Sequence, residues 1–175
     1  MITKRLILLS VVTFFLVSCD SLETKNKEVF NSSQRQWELL KKMNGSSYSY
    51  TTTFHSWAGY AAKTTIHVEN DIIASRECVA TFLNYENETF SIDTIEHYIE
   101  SGHEIGTHVA GAKPLTVDEL YYTCAKEYLK VNTKKNTVYL ETNKDGLLNL
   151  CGYVPDDCFD DCYFGVRIDT IMWIK

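Results

Sequence analysis

Ser47-Tyr48-Ser49-Tyr50-Thr51-Thr52-Thr53-Phe54 alternates with the period of two that a half-buried strand requires, and it is rich in aromatic and β-branched residues. Tyr48, Tyr50 and Phe54 share one face, with Thr52 between them. Such a face reads as core beside amphipathic helices, or as an aromatic platform for a glycan. Residues 57–62 make a connection around Gly59. A second strand over 63–69 turns Ile66 and Val68 inward, and Asn70-Asp71 is a tight-turn pair leading to a third strand near 72–79. Hairpin-linked antiparallel strands flanked by helical segments predict an α+β domain with one sheet face covered.

Upstream, a helix is expected over 33–44. Ser33 and Gln36 have capping-box spacing, Trp37 and Leu40 share a face that Met43 extends, and Asn44-Gly45 is a left-handed stop. Downstream, Ser91 is placed to cap a short helix over 92–101 with Ile92, Ile95 and Ile99 inward and Gly102 at its end. Past Gly106, Gly111 and Pro114 comes the clearest helical pattern. Thr116 and Glu119 form a capping box, Leu115 and Leu120 a hydrophobic staple, and an apolar stripe runs through Val117, Leu120, Tyr121, Cys124, Tyr128 and Val131. Strands follow over 137–142 and 147–153 around the turn Lys144-Asp145-Gly146. A last strand over about 163–174 carries Phe164, Val166, Ile168, Met172 and Ile174 on one side. Antiparallel sheets packed against two or three helices, in two halves of similar layout, are the expected architecture.

The amino terminus has a different character. Lys4 and Arg5 precede a twelve-residue apolar run, Leu6 to Val17, too short for the roughly 20 residues that span a bilayer. It ends in Leu16-Val17-Ser18-Cys19, a branched apolar and then a small residue before a cysteine. That sequence resembles the lipobox of bacterial lipoproteins, in which the thiol accepts diacylglycerol and the peptide is cut ahead of it. Residues 1–18 are therefore expected to be a cleaved signal peptide. Residues 19–32 would be a lipidated Cys19 followed by a polar tether, and 33–175 one domain. Two or more acyl chains give stable anchoring. Cleavage would leave 15 basic against 23 acidic residues, a net charge of −8, which disfavours nucleic acid as a partner.

Five further cysteines, Cys78, Cys124, Cys151, Cys158 and Cys162, would then face an oxidising compartment. Their odd number leaves at least one thiol over. At least one disulfide is expected to involve Cys151, Cys158 or Cys162. Cys124, on a buried helical stripe, is either a lone core thiol or a disulfide partner. The spacing of Cys151, Cys158 and Cys162 is unlike that of zinc sites, and no histidine lies near them.

Catalytic patterns are incomplete. His103-Glu104-Ile105-Gly106-Thr107-His108 is similar to a motif of polysaccharide deacetylases, which implies metal binding by His108. Those enzymes need a second histidine four residues on, where this chain has Ala112, and a pair of upstream aspartates that is missing. No Gly-x-Ser-x-Gly elbow and no glycine-rich phosphate loop occurs. Asp156, Asp157, Asp160 and Asp161 are weak calcium candidates without the spacing of a known loop and read as a solvated acidic turn. No cofactor and no catalytic residue is expected.

Several stretches together resemble a family of uncharacterised bacterial lipoproteins carrying a domain of unknown function. They are the tryptophan helix with Ser-Tyr-Ser-Tyr, Thr64-Thr65-Ile66-His67-Val68, Thr116-Val117-Asp118-Glu119-Leu120, and Gly146-Leu147-Leu148 with Cys151-Gly152-Tyr153 to Cys162. The resemblance spans most of 33–174 and implies an envelope-anchored α+β domain, without an activity. The expectation is a lipid-anchored protein of the bacterial envelope, outside the cytoplasm and joined to the membrane through Cys19. It would be a non-enzymatic binding or structural module for an envelope protein or glycan. A metal-dependent hydrolase or deacetylase of envelope polysaccharide using His103–His108 is the alternative.

Overall fold

β1, Tyr48–His55, takes its place second from one edge of a five-stranded antiparallel sheet. The strand order is β4-β3-β2-β1-β8, with β2 at Tyr60–Glu69, β3 at Ile72–Glu86, β4 at Thr89–Ser101 and β8 at Thr170–Trp173. A smaller antiparallel sheet has the order β5-β6-β7, with β5 at Asn136–Thr142, β6 at Leu148–Pro155 and β7 at Phe164–Arg167. Two helices, α1 at Leu22–Asn44 and α2 at Val117–Lys126, complete a single α+β domain. The structure, a computed structural model, describes residues 22–86 and 89–174. The leader and Cys19 lie outside the described residues.

Local chemistry explains the β2–β3 turn. Asn70 and Asp71 both adopt positive φ, 49° and 66°, a conformation that short polar side chains tolerate. The inner face of the large sheet carries Tyr48, Tyr50, Ile66, Val68, Cys78, Ala80 and Tyr98, all buried. Over Tyr48 lies Trp37 of α1, edge-on at 5.0 Å between ring centroids and stacked on Trp173 of β8 at 5.3 Å. The phenol groups are used as well. Tyr48 accepts from the Val117 N–H, Tyr50 donates to the Leu115 carbonyl, and Tyr121 donates to the Ser33 carbonyl while accepting from the Leu148 N–H. Each buried hydroxyl thereby joins two elements and leaves no uncompensated polar atom.

α2 starts as its sequence requires, with a complete reciprocal capping box between Thr116 and Glu119. It ends at Lys126, sooner than its apolar stripe suggests, and a 3₁₀ turn at Tyr128–Lys130 follows. Lys41 binds Asp118 at 2.8 Å and Asp71 at 2.5 Å, joining α1 to α2 and to the β2–β3 turn. Burial works against its charge, but the two carboxylates outweigh it and raise its pKa.

Five expectations are corrected. α1 begins at Leu22, so the helix covers most of the stretch read as a tether over 19–32. Its inward row extends back from Trp37 through Ser33 to Phe30, all buried. Ser33 is therefore no cap, and its hydroxyl pairs with Tyr121 at 2.7 Å. The segment 92–101 is β4 and not a helix, with Ile92, Ile95 and Ile99 exposed. Their helical spacing misleads because a bulge lies opposite Ala80/Thr81, leaving Ile95 without a partner. That extra residue changes the parity, so Ile92 and Ile99, seven apart, both pair with outward positions, Leu83 and Glu77.

Residues 163–174 form two strands instead of one. β7 pairs with β6 and β8 with β1, and the chain changes sheets at buried Ile168 and at Asp169. There the Ile168 N–H bonds the Asn149 carbonyl and the Asp169 N–H bonds the Thr51 carbonyl. Phe164, Met172 and Ile174 are consequently exposed. The two sheets, of five and three strands, also share no common layout.

Two disulfides are present, Cys124–Cys151 in the core and Cys158–Cys162 across the acidic turn, and Cys78 is a buried free thiol. Cys124–Cys151 links α2 to the middle of β6 over a separation of 27 residues. Closure of a loop of that length stabilises by about 3–4 kcal/mol through the unfolded chain. Cys124→Ala is expected to lower the urea midpoint accordingly. In the unreduced, unfolded wild type, alkylation followed by mass spectrometry should label Cys78 and spare Cys124, Cys151, Cys158 and Cys162.

Candidate functional site

Among the described residues, no helix covers the β3–β4 half of the large sheet's inner face. The segment from Ile105 to Leu115 crosses it instead, and a crossing chain must find partners for its own amides. The sheet supplies them from buried side chains. Glu100 of β4 is fully buried and accepts from the N–H groups of Gly106 and His108, both at 2.7 Å, from His108 Nδ1 at 2.9 Å and from the Thr107 hydroxyl at 3.3 Å. Arg76 of β3 binds Glu100 with two nitrogens, Nε at 2.7 Å and Nη2 at 2.8 Å. The rest of the guanidinium serves the loop, donating to the carbonyls of Ala112 and His108. Tyr98 donates to the Ala110 carbonyl, and the Thr64 hydroxyl accepts from the Ala112 N–H at 2.9 Å.

The electrostatics follow from that geometry. Arg76, reinforced by the amides of His108 and Gly106, holds the Glu100 carboxyl well below the usual carboxylate range, against the opposing effect of burial. Burial pushes Tyr98 up to about 12. Its ring has Arg76 5.2 Å from the centroid and the imidazole of His108 stacked on it at 4.0 Å. At Gly111 (φ 82°) an added Cβ would lie 2.7 Å from both Cys78 Sγ and Thr64 Oγ1, so only glycine lets the loop lie this close to the sheet.

The His103–His108 segment thus has a structural job. His108 Nδ1 is engaged by Glu100, while His103 sits exposed in a 3₁₀ turn, Gly102–Glu104. Among the described residues, no three His, Cys, Asp or Glu side chains converge as a metal site would need. Three of the four aspartates of the acidic turn have separate partners. Asp156 accepts from the Thr137 hydroxyl, Asp160 from the Asp161 N–H, and Asp161 from the Ser56 hydroxyl and the Trp57 N–H.

Beside the loop opens a cleft of about 710 Å³, within the size range of ligand sites. One wall is β1 from Thr52 to His55, with Tyr60, Ala62 and Thr64 of β2. Val109–Ala112 of the pinned loop form the second. The third is Val154 with Asp160–Tyr163, Gly165 and Arg167. A smaller recess of about 260 Å³ adjoins it, sharing Thr52, Ala112, Gly165 and Arg167. The chain finds no match among protein-family models, curated proteins or solved structures. Its site is therefore read from its own geometry.

Apolar side chains crowd the mouth. Phe54 lines it at 52% exposure, with Tyr60 beside it on β2, and Val109 tips the loop at 99%. Tyr163 lies over the cross-strand pair Gly152 and Gly165, where an added Cβ on either would strike its ring or hydroxyl. Burial pushes its phenol pKa up.

Sequence reasoning placed Phe54 on the right strand and face, and drew attention to the 156–162 turn. It missed Arg76, Glu100, Thr64 and Arg167. The available signal was Tyr98 and Glu100 alternating in β4, which puts a charge on an inward position once the segment is seen as a strand.

Glu100→Gln would leave Arg76 buried without its counter-charge, a change that costs about 3–5 kcal/mol for a buried pair. The lower end is expected here, since a single loop lies over the pair. Because the folded-state pKa is depressed, this stabilisation is fully present above the unfolded value near 4.5 and is lost as pH falls through the folded one. Urea midpoints should therefore show the variant well below wild type near neutrality, with the two converging below the ordinary carboxylate range.

Proposed function

We propose that this chain is a lipid-anchored protein of the bacterial envelope that binds a ligand in the cleft between its two sheets. In this reading it belongs with the uncharacterised lipoproteins that its residues resemble. The observation that carries the binding reading is the cleft, whose loop wall is fixed by charged and hydroxyl side chains on the sheet beneath it. Holding an irregular wall rigid by burying an ion pair is a cost that packing alone does not demand. Rigid walls, a mixed polar and apolar lining and aromatic groups at the mouth suit recognition. The commitment of His108 to Glu100 favours binding over metal-assisted hydrolysis.

The envelope location is supported by the leader and by the two disulfides, since such bonds persist where the surroundings are oxidising. Among the described residues no helix is long and apolar enough to cross a membrane, and attachment in this reading rests on acylated Cys19.

Two measurements check the proposal. Cys19→Ala should release the protein from the membrane fraction or leave its leader uncut, as seen by fractionation and intact mass. A processed variant that still partitions with membranes would remove the anchor. For the cleft, a panel of soluble oligosaccharides and short peptides should include a compound that raises the melting temperature. Thr52→Phe, which fills the cleft from its wall, should abolish that rise while remaining folded by circular dichroism.

A further inference from the structure

The cleft contains two strand edges to which, among the described residues, no strand is paired. β8 covers β1 only from Tyr48 to Thr51, so Thr52–His55 continue without a paired strand on that side among the described residues, where only the Thr53 hydroxyl reaches Asp169. β7 closes the smaller sheet and is likewise open on the side away from β6. Alternate residues of an antiparallel strand address alternate neighbours, so the direction of each backbone group can be read.

On β1, Ser47 and Thr51 give their carbonyls to Ile174 and Asp169 on the β8 side. The Ser56 N–H bonds the Tyr60 carbonyl on the β2 side. Thr53 and His55, in step with Ser47 and Thr51, therefore direct N–H and C=O away from β2, past the end of β8 and into the cleft. The same parity applies to β7. The Ile168 N–H bonds the Asn149 carbonyl next to β6, so the even positions face β6 and Gly165 and Arg167 face away. Both of these residues line the cleft.

We propose that the ligand is an extended polypeptide segment that adds a strand to β1 alongside Thr53 and His55. This inference rests on the reading of the cleft as the binding site and names its ligand class. Strand addition draws affinity from main-chain hydrogen bonds and selectivity from pockets for alternate side chains. Both features are present. The open edge of four residues, at about 3.3 Å per residue, accepts a segment of roughly that length. Inward from it, Ala62, Ala110 and Ala112 leave a floor of small side chains between Tyr60 and Thr64, room for one bulky apolar residue. Arg167, Asp160 and Asp161, all on the third wall, offer both signs of charge to the outward residues. A saccharide's hydroxyls could meet these groups singly, but they do not repeat the alternating donors and acceptors of a strand.

The test uses the anchored chain in lipid nanodiscs. The probes are fluorescein-labelled hexapeptides, capped at both ends, in which threonine alternates with valine, isoleucine, leucine or phenylalanine. Anisotropy should rise saturably with at least one of them. N-methylation of alternate residues, made in both frames, should weaken binding at least tenfold in one frame or both, because the methyl group removes the donor and blocks approach. Thr53→Pro should do the same, since it removes an N–H that the sheet does not use. Should that variant fail to fold, the methylated peptides decide the question on the unaltered protein.

Binding that survives methylation in both frames would overturn strand addition and leave the cleft as a site for side chains. Binding of no hexapeptide would also overturn it, and the fate of the cleft would then rest on the ligand panel and Thr52→Phe.

Discussion

A buried Arg76–Glu100 pair decides how the large sheet is covered. Two helices, one of only ten residues, can roof the half that carries Tyr48, Tyr50 and Ile66, but not the half formed by β3 and β4. An irregular segment lies there, and its amides and carbonyls would each cost free energy if left without partners. Neither member of the pair is tolerable alone in such a place. Together they accept and donate along the loop from Gly106 to Ala112, and each charge satisfies the other. Coulomb attraction therefore acts here mainly as a means of solvating backbone where water is excluded.

A second constraint comes from the change of sheet at Ile168 and Asp169. One continuous strand from 163 to 174 would have completed the edge of β1 and left no opening. Because the chain pairs with β6 first and with β1 afterwards, the two sheets are joined at Ile168 and Asp169, and the edge of β1 beyond Thr51 stays open. Gly152 and Gly165, paired across β6 and β7, make room for the Tyr163 ring, which keeps the smaller sheet's wall in place. The cleft is thus a product of strand pairing, with the pinned loop as its third side.

Much of this was legible in the chain. The strand at Tyr48, the inward Ile66 and Val68, the Asn70-Asp71 turn and the capping box at Thr116 each declare themselves through local chemistry, and each is found. The failures share one cause. In β4, the exposed Ile92, Ile95 and Ile99 imitate a helical stripe, and only pairing with β3 around a bulge explains their spacing. In the last twelve residues the alternation is real, but it cannot say that two different partners share it. For α1, the polar residues ahead of Phe30 hide a helix whose inward row is completed only by Tyr121, 88 positions beyond Ser33. Long-range partners also determined Glu100 and Arg76, which no motif marks. A single chain read locally does not contain that information.

The early start of α1 alters how an anchored form of the protein would explore its surroundings. Between Cys19 and Leu22 stand only Asp20 and Ser21, and even fully extended each residue adds no more than about 3.6 Å. The domain would turn on a pivot about as long as a side chain instead of sweeping on a flexible leash. Its cleft would then sample a thin layer next to the bilayer. Partners confined to that same layer would meet it at a far higher effective concentration than partners free in the surrounding volume. Geometry at the anchor would in this way select among ligands before any contact in the cleft is made.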